Sequence, residues 1–78
     1  MSHSEEEKLR FKILNMLPTL NQSEGKVARL VLDYPDEIVN FSISQTAAQA
    51  GVSGTTVNRF CKRLMLNGYP DLKIQIAK

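Results

Sequence analysis

From Ser53 to Leu64 the chain reads SGTTVNRFCKRL. At a helical advance of about 100° per residue, Val57, Phe60, Cys61 and Leu64 fall on one face. Thr55, Arg59 and Lys62 fall on the opposite face, with Asn58 and Arg63 on its flanks, and none of these outer residues is acidic. A guanidinium at Arg59 can pair bidentately with guanine, and a carboxamide at Asn58 with adenine. Lys62 and Arg63 suit phosphate oxygens. Ser53, Gly54, Thr55 and Thr56 form a small uncharged tip, of the kind that the first turn of a recognition helix brings into a major groove.

Other chemistries find little support. Cys61 is the only cysteine, which excludes an intrachain disulfide, and Cys61 and His3 are the only soft metal ligands, which argues against a zinc site. Cys61 lies on the apolar stripe, where a cysteine acts as a small hydrophobe. His3 sits in an N-terminal stretch expected to be frayed. Ser42 and Ser53 read as helix caps. Glu5, Glu6 and Glu7 are consecutive, point around a helix and cannot converge on a cation. No nucleophile has a positioned base, so no catalytic residue, metal or cofactor is expected.

Presenting such a face requires a partner helix and a turn. Ala47 is a small residue four positions before Gly51, allowing close approach of the second helix. Gly51 can take the left-handed conformation that ends a helix, and Val52 supplies an apolar residue for the turn. Two helices joined by Gly51-Val52-Ser53 fit the helix-turn-helix plan.

The remaining segments follow helical periods with sharp punctuation. A first helix is expected from about Glu5 to Leu17, with Leu9, Ile13 and Met16 in a stripe and Pro18 as its stop. Phe11 lies off that stripe, so it is either buried on a second side or placed against another subunit. Asn21 and Glu24 form a capping box for a second helix with a core face of Val27, Leu30, Val31 and Tyr34, ended by Pro35. One further turn can start at Pro35 and run to Val39. Ser42 and Gln45 form a second capping box, for a helix from Ile43 to Ala50. Ser53 caps the next helix, expected to reach about Leu66, with Asn67-Gly68 as the stop. Pro70 starts a last helix containing Leu72 and Ile76. Lys78 falls inside that pattern, so a fragment of a longer protein is expected. The fold class is therefore all-α: a compact bundle of about five or six helices containing a homeodomain-like helix-turn-helix, with residues 1–78 as one domain.

Composition bounds the partners. A domain of 78 residues buries about 60% of its unfolded surface. Apolar runs are too short to span a membrane, and the acidic start MSHSEEEK is not a secretory signal, so the cytoplasm is the expected location. The net charge of +2 is small but uneven. Residues 1–40 hold five Lys/Arg and seven Asp/Glu, whereas residues 41–78 hold five Lys/Arg and one Asp. A basic half suits a phosphate backbone, and it equally suits an ordinary solvated face.

Three stretches, LNQSEGKVARLVLDYPDEI, SISQTAAQAGVSGTTVNRFCKRL and NGYPDLK, resemble the N-terminal domain of RpiR-type bacterial transcriptional regulators. The resemblance covers nearly the whole chain after the first few residues. It implies double-stranded operator DNA as the partner, and a homodimer or higher homo-oligomer on palindromic sites. It also implies a sugar isomerase-like domain after residue 78 that binds a phosphosugar effector. The sequence departs from the family pattern at five positions. Thr46 replaces a larger apolar residue, and is expected to pack less well and to bond back to the preceding turn. Gly54 replaces a larger residue, Thr55 an alanine or serine, and Asn58 an aliphatic residue. Met65 stands where a glycine commonly ends the helix, so the turn from Leu64 to Gly68 is expected to differ. The rival reading is a helical protein-interaction or dimerisation module, built on Phe11 and the first helix, with an incidental basic face.

Overall fold

A computed structural model describes residues 5–78. His3 lies outside the described residues, as do the side chains of Glu5, Glu6 and Glu7. The elements are α1 (Glu5–Met16), a 3-10 turn (Leu17–Thr19), α2 (Gln22–Asp33), α3 (Pro35–Ile38), α4 (Ile43–Ala50), α5 (Gly54–Arg63) and α6 (Tyr69–Ala77). All are helical, as the periodicity predicts.

Local chemistry sets most boundaries. Asn21 accepts from the Glu24 amide at 2.8 Å, and the Glu24 carboxylate accepts from the Asn21 amide, closing the box that opens α2. Ser42 and Gln45 repeat the arrangement at α4. Ser53 Oγ accepts from the Thr56 amide at 3.1 Å and so caps α5. Pro18 and Pro35 each stand in the first turn of a short helix, where the missing N–H costs nothing.

The core joins Leu9 and Ile13 of α1, Val27, Ala28 and Val31 of α2, Ile38, Ala47, and Val57, Phe60, Cys61 and Leu64, with Tyr69, Leu72 and Ile76 of α6. Helices α2, α4 and α5 pack on one another, and α6 packs on α1, α3 and α5. The face of α2 differs from the expected one. Its buried residues are Glu24, Val27, Ala28 and Val31, while Leu30 is half-buried and Tyr34 is 51% exposed. Tyr34 precedes a proline and leaves the helical region, with φ −134° and ψ 53°, so it no longer follows the phase of α2. Phe11 is 67% exposed, which removes the option of a second buried side for α1 within this chain.

Thr46 also corrects its expectation. It is fully buried, and its hydroxyl lies 2.5 Å from the Tyr69 hydroxyl rather than turning back on α4. The phenol in turn donates toward the carbonyls of Ile38 at 3.1 Å and Phe41 at 3.0 Å. One buried phenol thereby ties α6 to α4 and to both ends of the segment between α3 and α4. Burial raises the Tyr69 pKa above its ordinary value, against the opposing effect of the Thr46 bond.

Helix α5 stops earlier than expected, at Arg63 rather than near Leu66. The Met65 amide donates to the Lys62 carbonyl and the Leu66 amide to the Cys61 carbonyl, with Met65 left-handed at φ 66°. This is the Schellman arrangement with methionine in the position glycine usually takes. Met65 is 84% exposed, so little packing repays its backbone strain. Met65→Gly is expected to raise stability by about 0.5–1 kcal/mol, the relief of the left-handed strain less the added freedom of the unfolded chain. Urea denaturation checks it.

Cys61 is buried and its thiol is pushed up from 9.0 to about 12, chiefly by desolvation. The folded state therefore retains a proton that the unfolded chain loses above its own pKa. This contribution is fully present below about pH 9 and is lost as pH rises toward 12. The urea midpoint is expected to fall across that window, and Cys61→Ala is expected to flatten part of the decline.

Candidate nucleic-acid interface

The turn between α4 and α5 comes from the residues that suggested it. Gly51 is left-handed at φ 73° and ψ 36°. Its amide donates to Ala48, and the Val52 amide donates to Ala47 at 2.9 Å, which satisfies the last carbonyls of α4. Ala47 is buried, letting the two helices meet closely, and Val52 is half-buried against the core. Val57, Phe60 and Cys61 are fully buried on the back of α5, as is Leu64 at its C-cap.

The outer face then follows. Ser53, Thr55, Asn58, Arg59, Lys62 and Arg63 are exposed, and Gly54 and Thr56 are half-exposed. Thr56 Oγ1 lies 3.1 Å from Ser53 Oγ, so these two hydroxyls are a local pair at the tip. Among the described residues Arg59 makes no ion pair. Asp71, the one acid in the basic half of the chain, accepts from the Asn67 amide at 3.1 Å. Thr55, Arg59 and Lys62 form a cationic and hydroxyl stripe without a carboxylate on the helix.

Two candidates face elsewhere. Asn58 Oδ1 accepts from the Tyr69 amide at 3.3 Å, so its carboxamide caps the start of α6. Bidentate pairing with adenine needs that oxygen as well as the amide nitrogen; in this conformation the oxygen is engaged. Arg63 Nε lies 3.3 Å from Glu24 Oε1. The Glu24 side chain is almost fully buried, and Arg63 is the cation beside it. This pair, which sequence spacing did not reveal, fastens the C-terminal end of α5 to the capping box of α2.

Lys12 is a second unforeseen fastener. Its Nζ donates to the Leu64 carbonyl at 2.7 Å, placing a positive charge at the negative end of α5. Arg10 does the same for α2, donating to the Leu32 carbonyl at 3.0 Å. Neither contact has a local sequence signal. Tyr69 is buried and fully engaged, which leaves it no free hydroxyl for a phosphate.

A recognition helix buried on one face, cationic on the other and joined to a preceding helix by a glycine turn defines a helix-turn-helix DNA-binding domain. It is a domain type of transcription regulators. The chain belongs to the rpiR family of such domains, whose model matches residues 7–78. It is 46% identical over 67 residues to the HTH-type transcriptional regulator HexR of Pseudomonas aeruginosa, covering 86% of this chain and 24% of that protein. The Escherichia coli HexR is 43% identical over 67 residues, covering 86% of this chain and 23% of that protein. The chain thus spans about a quarter of the length of these relatives. The N-terminal domain of the transcriptional regulator ybbH from Bacillus subtilis superposes with a TM-score of 0.83 at 33% identity, over 88% of this chain and 84% of that one. Among the described residues no helix is long and apolar enough to cross a membrane.

Arg63→Ala would leave the buried Glu24 carboxylate without its cation. The expected loss is about 1–3 kcal/mol in urea denaturation. In a Glu24→Gln background the same replacement is expected to cost less, because no buried charge is left behind.

Proposed function

We propose that this domain binds double-stranded DNA sequence-specifically through residues 53–62, with Arg59 and Thr55 facing base edges and Lys62 facing a phosphate. The observation that carries the reading is the division of α5: Val57, Phe60 and Cys61 are sealed into the core while Thr55, Arg59 and Lys62 stand exposed. Arg63 and Asn58, both engaged within the fold, act as positioning residues in this scheme. The recognition helix is Gly54–Arg63.

The wider role belongs to the same proposal. The chain acts in the bacterial cytoplasm as the operator-binding part of a regulator of sugar or sugar-phosphate metabolism. A sugar isomerase-like domain beyond residue 78 senses a phosphosugar. Two copies bind palindromic half-sites about 34 Å apart or a multiple of it, because a single small module offers limited contact area. The similarity to two proteins named as transcriptional regulators supports this reading.

A second reading, self-association without sequence preference, draws on the exposure of Phe11 and Leu14 on the outward side of α1. Elution from random duplex DNA over a salt gradient separates the two, since only the first predicts a sequence that resists the salt.

Arg59→Ala is expected to cost about 1–3 kcal/mol of specific binding and to relax preference at one base position. Lys62→Ala is expected to weaken all sequences alike and to lower the salt slope by about one. Fluorescence anisotropy at several salt concentrations reads both. Unchanged affinity and slope in both variants would place the interface elsewhere.

A further inference from the structure

Gly54 is the first residue of α5, and nothing inside the molecule accounts for its lack of a side chain. Its φ lies outside the positive range that L-residues avoid. A Cβ built there would meet only Ile43 Cγ1 and Cδ1, each at 4.0 Å, an ordinary van der Waals separation. Glycine is also a poor helix former, so the position gives up stability for no internal return. Gly51 is different, since its left-handed φ excuses it.

Glycine lets another backbone or a ligand come close. A Cβ on Gly25 of α2 would meet nothing within 4 Å, so it is the place of Gly54 at the tip of α5 that sets it apart. The surroundings indicate what fits. Ile43 opens α4 as Gly54 opens α5, and its half-buried side chain lies beneath the bare Cα of Gly54. Thr55, next in sequence, is exposed and carries a methyl group beside its hydroxyl. The missing Cβ therefore leaves room for about one methyl group beside Ile43 at the uncharged tip of α5. Ile43 and a bare Cα offer no side-chain hydrogen bond to a polar base-edge atom. The one apolar group displayed in a major groove is the C5-methyl of thymine.

We infer that Gly54 and Ile43 form a seat for a thymine methyl group, and that Gly54 is a specificity-determining residue. The inference rests on the DNA-binding reading above and adds a base identity to it. Side chains at position 54 would fill the seat and push the base edge away.

The test uses the 78-residue chain and a duplex selected by it from a random pool. Each thymine of that duplex is replaced in turn by uracil, which removes only the methyl group. Replacement at one thymine per half-site is expected to weaken binding about fourfold, the worth of one buried methyl group. Gly54→Ala is expected to keep or raise the melting temperature, to weaken the thymine duplex about fourfold or more, and to abolish the difference between thymine and uracil at that position. A duplex without any uracil-sensitive position overturns the seat, as does a Gly54→Ala variant that retains full affinity and full uracil sensitivity. Unfolding of Gly54→Ala would reveal an internal cause for the glycine and overturn its assignment, while the uracil series still reads the seat directly. Failure of the wild-type chain to select any duplex overturns the DNA-binding reading itself, a result distinct from binding without uracil sensitivity.

Discussion

A helix that offers one face to a ligand can be held only from behind, and the whole bundle is arranged to hold α5 in that way. Phe60, the largest fully buried side chain, stands at the centre of the hold with Val57, Cys61 and Leu64 around it. Helices α2, α4 and α6 all reach this stripe. Without it the cationic stripe on the front would have no fixed orientation, since Arg59 and Lys62 bond to nothing else among the described residues. The front is free because the back is closed.

Polar contacts complete the hold, and they are distributed unevenly along α5. The C-terminal end is fastened by Lys12 at the Leu64 carbonyl and by Glu24 at Arg63, and the middle by Asn58 at the Tyr69 amide. Among the described residues the polar contact of the first turn is its own Ser53 cap. The helix is therefore anchored at the end away from the tip, and the tip is left for an external partner. Two residues that composition alone would count as DNA ligands, Asn58 and Arg63, are spent on this anchoring.

Much of the fold was legible because its signals are local. The capping boxes at Asn21 and Ser42, the Ser53 cap, the Gly51 turn and the short helix at Pro35 each depend on residues a few positions apart, and each formed as read. The buried back of α5 and its exposed front followed from periodicity alone. Periodicity misjudged α2, where it favoured bulky Tyr34 over Ala28, because a small residue gives little signal in an apolar stripe. It also overran the end of α5, since a methionine in the left-handed position carries no punctuation in the sequence. The ties from Thr46 to Tyr69, from Arg63 to Glu24 and from Lys12 to Leu64 span 23 to 52 positions, so no local pattern encodes them. They separate candidates of identical residue type: both arginines are exposed, but Arg63 is paired with Glu24 while Arg59 makes no ion pair among the described residues.

The tie from Lys12 to Leu64 also carries an expectation about the order of assembly. Closing a loop of 52 residues costs more chain entropy than forming a capped helix, whose hydrogen bonds bridge three or four positions. Helices α2, α4 and α5 carry their own caps, and the pair α4–α5 is joined by a two-bond turn. That unit can be native before α1 arrives, with α1 docking last against α6 and the end of α5. Damage at Lys12 therefore belongs on the unfolding limb of the chevron, leaving the refolding rate almost unchanged. On that ordering the first helix in the chain is expected to commit last, as the latch on a fold that its successors have built.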